Sequence, residues 1–234
     1  HILSGEELIF DNEEGEYWLY EYDLLNRLVK VSKSENGTDN VEDIAEYTYD
    51  HNGYRVKKVR QAADGQETVY YVFGLGGEVL YKEQVDRDTY EEFVYVAGKH
   101  FAKYEGKLSE TTVVKYFYHT DHLGSVTVVT DETGSVVWAD EYLAFGESTG
   151  ATGLIEAPGI YTGKELDEDV GLYYFNARWY DPGLGRFISE DPVKDGVNWY
   201  VYCASNPFRF FDPTGLITEE QEEDAIKKGK ATQK

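Results

Sequence analysis

Short runs of alternating apolar and polar residues recur along the chain, as in Tyr54-Arg-Val-Lys-Lys-Val59 and Ser125-Val-Thr-Val-Val-Thr130. A period near two predicts antiparallel strands with one face on a core and one in water. Turn signals separate the runs at Asn36-Gly37, Asn52-Gly53, Asp64-Gly65, Gly98, Gly106 and Thr133-Gly134. Asn and Gly supply the positive φ that tight hairpins need.

The alternation is organised into a repeat. Tyr-x-Tyr-Asp occurs at Tyr20-Glu-Tyr22-Asp23 and at Tyr47-Thr-Tyr49-Asp50, each followed by a turn and a basic strand. Aligned on the second aromatic, weaker copies give Tyr22, Tyr49, Tyr71, Tyr95, Tyr118 and Tyr142, spaced 27, 22, 24, 23 and 24 residues apart. That period fits one hairpin per repeat. Single hairpins bury too little, so neighbours must pair into one curved sheet. The 21 tyrosines suit such a sheet, since each covers a large area and keeps a hydroxyl for water or a partner.

Composition narrows the function. The 234 residues carry 22 Lys and Arg against 45 Asp and Glu, a formal net charge of −23, which repels phosphate backbones and anionic membranes. Nucleic acid is therefore excluded as an expected partner, and without a run of 18 apolar residues no helical membrane insertion is expected of this segment. The first residue is His1 and there is no Met, so a fragment of a longer polypeptide is expected. The single Cys203 lies in the aromatic run Tyr200-Val-Tyr-Cys203 and reads as a packing residue.

From residue 116 the text becomes specific. Tyr116-Phe-Tyr-His-Thr-Asp-His-Leu-Gly-Ser125 is followed by Val137-Trp-Ala-Asp-Glu-Tyr142, then by Gly171-Leu-Tyr-Tyr-Phe-Asn-Ala-Arg178-Trp-Tyr-Asp181-Pro182. Gly185-Arg-Phe-Ile-Ser-Glu-Asp191-Pro192, Asn198-Trp-Tyr-Val-Tyr202 and Asp212-Pro-Thr-Gly-Leu216 complete the series. In order and wording these motifs resemble the RHS repeat-associated core domain, and the tyrosine repeats resemble the YD repeats of the same proteins.

The resemblance implies an all-β fold: stacked antiparallel hairpins forming the curved sheet of a cage-like shell, with a C-terminal plug and a short helical tail. It divides the chain into shell hairpins over 1–115, the core and plug over 116–216, and a tail or effector linker over 217–234. It implies bacterial origin, secretion or display at the cell surface, and an effector following on the same polypeptide inside the cage. In many members the core cuts the bond after Asp-Pro-x-Gly-Leu, here Leu216 to Ile217. By motif match Asp191 and Asp212 form the carboxyl dyad of an aspartic-type, single-turnover autopeptidase, and Arg178 is the arginine tied to cleavage. The chemistry is coherent, because two adjacent carboxyls that share a proton can act as base and acid around a water. This sequence departs from the commonest pattern at Lys194, where Gly is usual, and in a shorter stretch before Asn198. An ammonium beside Asp191 would work against a shared proton.

No cofactor or metal is expected. His119 and His122 with Asp121 lack a third ligand in reach, Gly74-Leu-Gly76-Gly77 lacks the context of a nucleotide loop, and Asp167-Glu-Asp169 reads as a hairpin loop rather than a calcium site. Thr218 and Gln221 form a capping box ahead of a Lys-rich end, which predicts a helix in the tail. Asp-Pro pairs also have a purely structural use as turn formers, the reading adopted for Asp181. Three functions stand beside each other. The first is a shell segment that encloses or presents an effector, and the second is the same segment that in addition cleaves itself. The third is a surface or secreted module without peptidase activity that binds, or self-associates through edge strands.

Overall fold

The computed structural model describes residues 8–11, 17–36, 39–62, 65–155, 159–194 and 197–216. Among these, thirteen strands form one antiparallel sheet in which sequence neighbours are spatial neighbours throughout. They are β1 (Leu8–Asp11), β2 (Tyr17–Tyr22), β3 (Leu28–Ser34), β4 (Glu42–Tyr49), β5 (Arg55–Ala62), β6 (Gly65–Phe73) and β7 (Val79–Gln84). β8 (Thr89–Val96), β9 (Lys99–Lys107), β10 (Val113–Thr120), β11 (Val126–Asp131), β12 (Val136–Ala139) and β13 (Thr152–Gly153) follow. The helix expected in the tail, and Ile217 itself, lie outside the described residues.

One repeat is one hairpin. Tyr22, Tyr49, Tyr71, Tyr95 and Tyr118 fall on β2, β4, β6, β8 and β10, every second strand of the meander. The aspartate of the motif closes the turn. Asp23 Oδ1 accepts the backbone N–H of Leu25 and Arg27 at 2.9 Å each, and Asp50 Oδ1 does the same for Asn52 and Tyr54. Asp121 and Asp131 repeat the device. A register shift falls just before the turn in these hairpins, between Glu21 and Tyr22, Thr48 and Tyr49, Val72 and Phe73, and His119 and Thr120. Tyr71 and Tyr118 therefore stand two residues ahead of the equivalent of Tyr22, on the same face of the strand.

Gly106 differs from the sequence expectation. It lies inside β9 and not in a turn, where a Cβ would come within 2.8–2.9 Å of the Tyr90 ring on β8. The glycine makes room for a cross-strand aromatic.

A second sheet of five short strands, β14 (Ile160–Tyr161), β15 (Lys164–Asp167), β16 (Leu172–Tyr174), β17 (Trp179–Asp181) and β18 (Arg186–Phe187), packs on one face of the large one. Tyr22, Leu28, Val31, Ala45 and Tyr47 of the wall meet Val170, Leu172, Tyr174, Trp179 and Ile188 of this closing segment. Tyr47 and Trp179 lie 4.6 Å apart between ring centroids, and such pairs add ~0.5–1.5 kcal/mol beyond the area they bury. A second aromatic core, with Tyr161, Tyr173, Phe175, Tyr180, Phe187 and Tyr202, lies within the closing segment. Three of its hydroxyls donate to successive carbonyls: Tyr161 to Ala144 at 2.7 Å, Tyr180 to Phe145 at 2.7 Å and Tyr173 to Gly146 at 2.9 Å. Buried phenols thus satisfy the carbonyls at the turn between the bridged residues Tyr142 and Ser148.

The interface also contains buried charge, which the alternation in Tyr54–Val59 did not suggest. The deeply buried side chains of β5 are Arg55 and Lys58, not its valines. Asp167 pairs with Arg55 at 3.1 Å and with Lys58 at 2.5 Å, and Asp169 pairs with Lys58 at 2.5 Å and Arg60 at 2.9 Å. Lys82 pairs with Glu165. Arg55 is further held over the rings of Tyr71 and Tyr174, 4.4 and 4.7 Å from their centroids. The acidic segment 165–169, the end of β15 and the turn after it, is therefore fastened to a basic stripe on the wall.

Candidate active site

The residues singled out by motif converge. Arg178 closes the turn between β16 and β17, where Phe175 N–H donates to the Arg178 carbonyl at 2.9 Å. Asp191 follows β18 and begins an Asx turn, accepting Val193 N–H on Oδ1 at 2.8 Å. Asp212 begins another near the end of the described chain. Its Oδ1 accepts the N–H groups of Thr214 at 3.0 Å, Gly215 at 2.8 Å and Leu216 at 3.2 Å. Both Asp-Pro pairs are turn formers. In each, however, Oδ1 builds the turn while Oδ2 faces the same guanidinium nitrogen. Arg178 Nη2 lies 3.9 Å from Asp191 Oδ2 and 3.7 Å from Asp212 Oδ2.

The other guanidinium nitrogens lock this arrangement. Arg178 Nε donates to the Gly215 carbonyl at 2.5 Å and Nη1 donates to the Trp199 carbonyl at 3.1 Å. The Trp199 carbonyl also accepts Asp191 N–H at 2.9 Å, and Ala177 N–H donates to the Thr214 carbonyl at 3.1 Å. Phe187 lies under the guanidinium, 3.7 Å from ring centroid to Cζ. All three charged residues are shut away from water, at 3%, 5% and 3% exposure for Arg178, Asp191 and Asp212. Burial works against the charge on Arg178 and lowers its pKa, with the two aspartates acting in the opposite direction. Leu216 is half-buried beside this cluster and is tied to it through its own N–H.

Lys194 does not intrude. Its ammonium pairs with Glu190 at 3.2 Å and lies over the Trp199 ring, 4.7 Å from the centroid. Asp181 is in a different place and forms a turn, accepting Leu184 N–H at 3.0 Å. Burial raises its pKa, against hydrogen bonds from Leu184 and Gly183 and the charge of Arg186. His119 contacts Thr130 Oγ1 at 3.0 Å and His122 contacts the Phe208 carbonyl at 3.4 Å, so the two imidazoles serve separate partners. Among the described residues no group of three or more His, Cys, Asp and Glu is placed to hold a metal. Cys203 is buried in the aromatic core beside Tyr202.

Lys164 was not singled out by sequence. It lies at the start of β15, half-buried, lining a cavity of about 650 Å³ between wall and closing segment with Asn176, Glu78, His100 and Pro213. Burial pushes its amine down to about 8, while the charges of Asp212 and Glu78 pull the other way. Its local sequence, Gly163-Lys-Glu-Leu-Asp-Glu-Asp, carries no signal that could have marked it.

Comparison with known proteins bears on this geometry. Residues 116–150 match the family model described as RHS protein. Over 205 residues the chain is 33% identical to the tRNA nuclease WapA of Bacillus subtilis, covering 84% of this chain and 8% of that protein. The chain belongs to the RHS/YD-repeat family. A second RHS relative, the double-stranded DNA deaminase toxin A of Burkholderia cenocepacia, is 32% identical over 227 residues, covering 84% of this chain and 15% of that one. The crystal structure of TcdB2-TccC3 superposes with a TM-score of 0.68 at 22% identity, covering 85% of this chain and 10% of that one, which establishes the shared fold. This RHS chain thus spans about a tenth of the proteins it matches, and it is a β-built structural segment of a kind found in toxins.

Proposed function

We propose that this segment forms the last part of the wall and the plug of an RHS shell that encloses or presents a C-terminal effector of the same polypeptide, and that it cuts its own backbone between Leu216 and Ile217. On this reading residues 1–115 are shell hairpins, 116–216 the core that closes them, and 217–234 lead to the effector. Upstream repeats would pair onto β1, an edge strand of the sheet. The mature shell would act outside the producing cell, secreted or on its surface.

One observation carries the peptidase reading: Asp191 Oδ2 and Asp212 Oδ2 both lie within 4 Å of Arg178 Nη2 while Asp212 Oδ1 holds the N–H of Leu216. A water between the carboxyls would be deprotonated by one of them and add to the Leu216 carbonyl carbon. The other would supply a proton to the oxygen, and collapse would release the Leu216 carboxyl and the Ile217 amine. Holding the bond in place supplies much of the rate for a single turnover in cis.

The test is an extended chain, expressed with further residues after Lys234 and weighed intact. A product ending at Leu216 that vanishes in Asp191→Asn and Asp212→Asn supports the reading. A full-length mass for the parent chain would leave the wall and plug without peptidase activity.

A further inference from the structure

The two carboxylates do not stand in equal surroundings. Arg178 treats them alike, at 3.7 and 3.9 Å. What separates them is everything else. Asp212 Oδ1 accepts three backbone N–H groups, whereas Asp191 Oδ1 accepts that of Val193. Hydrogen bonds to a carboxylate favour its charged form. Asp212 also faces a second cation, Lys164, while the lysine nearest Asp191 in sequence, Lys194, is drawn off to Glu190.

We infer that Asp212 is the carboxylate that takes a proton from water, that Asp191 carries the proton given to the Leu216 carbonyl oxygen, and that Lys164 is the positioning residue that keeps Asp212 charged. This rests on the self-cleavage proposed above and adds the division of labour. One O–H bond of water breaks as its oxygen bonds to the Leu216 carbon. Asp212 holds that proton until it passes to the Ile217 nitrogen as the C–N bond breaks, and Asp191 recovers its own proton as the carbonyl re-forms.

The setting of Lys164 explains why its charge matters. Its ammonium donates to Asn176 Oδ1 at 3.4 Å, and Asn176 Nδ2 in turn donates to the Gly77 carbonyl at 3.1 Å, which fixes the amide. Glu78 faces it from the turn before β7, His100 from β9 and Asp212 from the closing segment. Lys82, which lines the same cavity, is neutralised by Glu165 and Glu91. His100 is held down to about 4, so it adds no charge near neutrality. With its amine pushed down to about 8, Lys164 is charged at neutral pH and loses that charge in mild alkali.

The experiment follows the cleavage rate of the extended chain, pulse-labelled in cell-free translation and moved into buffers from about pH 3 to 9. Lys164→Gln is expected to move the rising limb of the rate profile to higher pH and to slow cleavage about tenfold on that limb, because a carboxylate base loses the charge that favours it. Lys164→Arg, which stays charged, should leave the rising limb in place. A Lys164→Gln profile that keeps the parent's limb and is merely scaled overturns the assignment. Should Lys164→Gln not fold, a rising limb that moves up in Lys164→Arg, which keeps the charge, overturns it instead. Failure of the underlying reading looks different: the parent chain itself then stays uncut at every pH.

Discussion

Arg178 and Gly215, 37 residues apart in sequence, are joined by a 2.5 Å hydrogen bond from the guanidinium Nε to the glycine carbonyl. The same guanidinium reaches the Trp199 carbonyl and faces Asp191 and Asp212. One side chain therefore sets the relative positions of three loops that have no sheet in common.

Its replacement should be costly for that reason. Arg178→Gln removes the one guanidinium that both buried aspartates face and should cost ~3–5 kcal/mol. Arg178→Lys keeps the charge but not the planar fork, and cannot serve Gly215, Trp199 and both aspartates together. Urea denaturation of both variants is expected to show a loss, smaller for lysine, and intact mass of the extended chain should show no cleavage in either.

Gly215 has little room for any other residue. Its φ is +74°, and an added Cβ would lie 2.6 Å from the Phe175 carbonyl oxygen and 3.2 Å from Arg178 N. Gly215→Ala combines a left-handed conformation with a clash against backbone, which should cost ~2–4 kcal/mol or displace residues 212–216 from the site. Displacement predicts faster limited proteolysis near Leu216 with the melting temperature of the wall little changed. A variant cut and melted like the parent would contradict this.

The charged seam between wall and closing segment predicts a large effect from an isosteric change. Asp167→Asn removes the carboxylate partner of Arg55 and one of the two partners of Lys58, both buried, and should destabilise by ~3–5 kcal/mol. Acid should act on the same seam. Burial disfavours the charge on Asp169, but Lys58 and Arg60 outweigh it and hold the carboxyl below its ordinary range. A depressed carboxyl stabilises the fold above its unfolded pKa of about 4, and that contribution is lost as pH falls further. Denaturation midpoints measured below about pH 4 should therefore fall more steeply in the parent than in an Asp169→Asn variant.

His100 predicts a second, milder acid transition. Burial is the main cause that holds it down to about 4, and its Nδ1 has no hydrogen-bond partner among the described residues. The unfolded chain takes up this proton near pH 6.5, so stability falls from there towards 4, by an amount on the order of 2–4 kcal/mol, and is flat above. His100→Phe, which suits the rings of Phe93, Tyr95 and Tyr118 around it, should remove the slope. An unchanged slope in that variant would assign the transition to another group.

How much of this was legible depends on the length scale of the cause. The hairpin repeat was legible because Asp23 and Asp50 act within four residues, and a local carboxylate turn leaves a local motif. Arg178, Asp191 and Asp212 were legible only through a resemblance. No spacing in the chain says that three turns 13 to 34 residues apart share one guanidinium. Arg55 and Lys58 were hidden for a further reason. Alternation predicts which face a residue points to, but it assumes that the buried face is apolar. Here the opposing surface carries Asp167 and Asp169, 109 to 112 residues away, so the basic residues point inward. Lys164 shares that cause, since Glu78, Asp212 and His100 reach it from three distant segments.

Lys194 tests whether one of the two departures from the family pattern is tolerated or harmful. Its φ of +55° is a left-handed conformation that costs a non-glycine residue ~1–2 kcal/mol, which explains why glycine is usual there. The side chain meanwhile forms an exposed pair with Glu190 at 3.2 Å, a contact of ~0–1 kcal/mol, and covers the Trp199 ring. Lys194→Gly relieves the backbone but loosens the unfolded chain and uncovers Trp199. The net change in stability should fall within about 1 kcal/mol of zero. Cleavage of the extended chain should be unchanged, because the ammonium points to Glu190 and away from the dyad. A cleavage rate that rises severalfold in Lys194→Gly would show instead that the lysine charge is felt by Asp191.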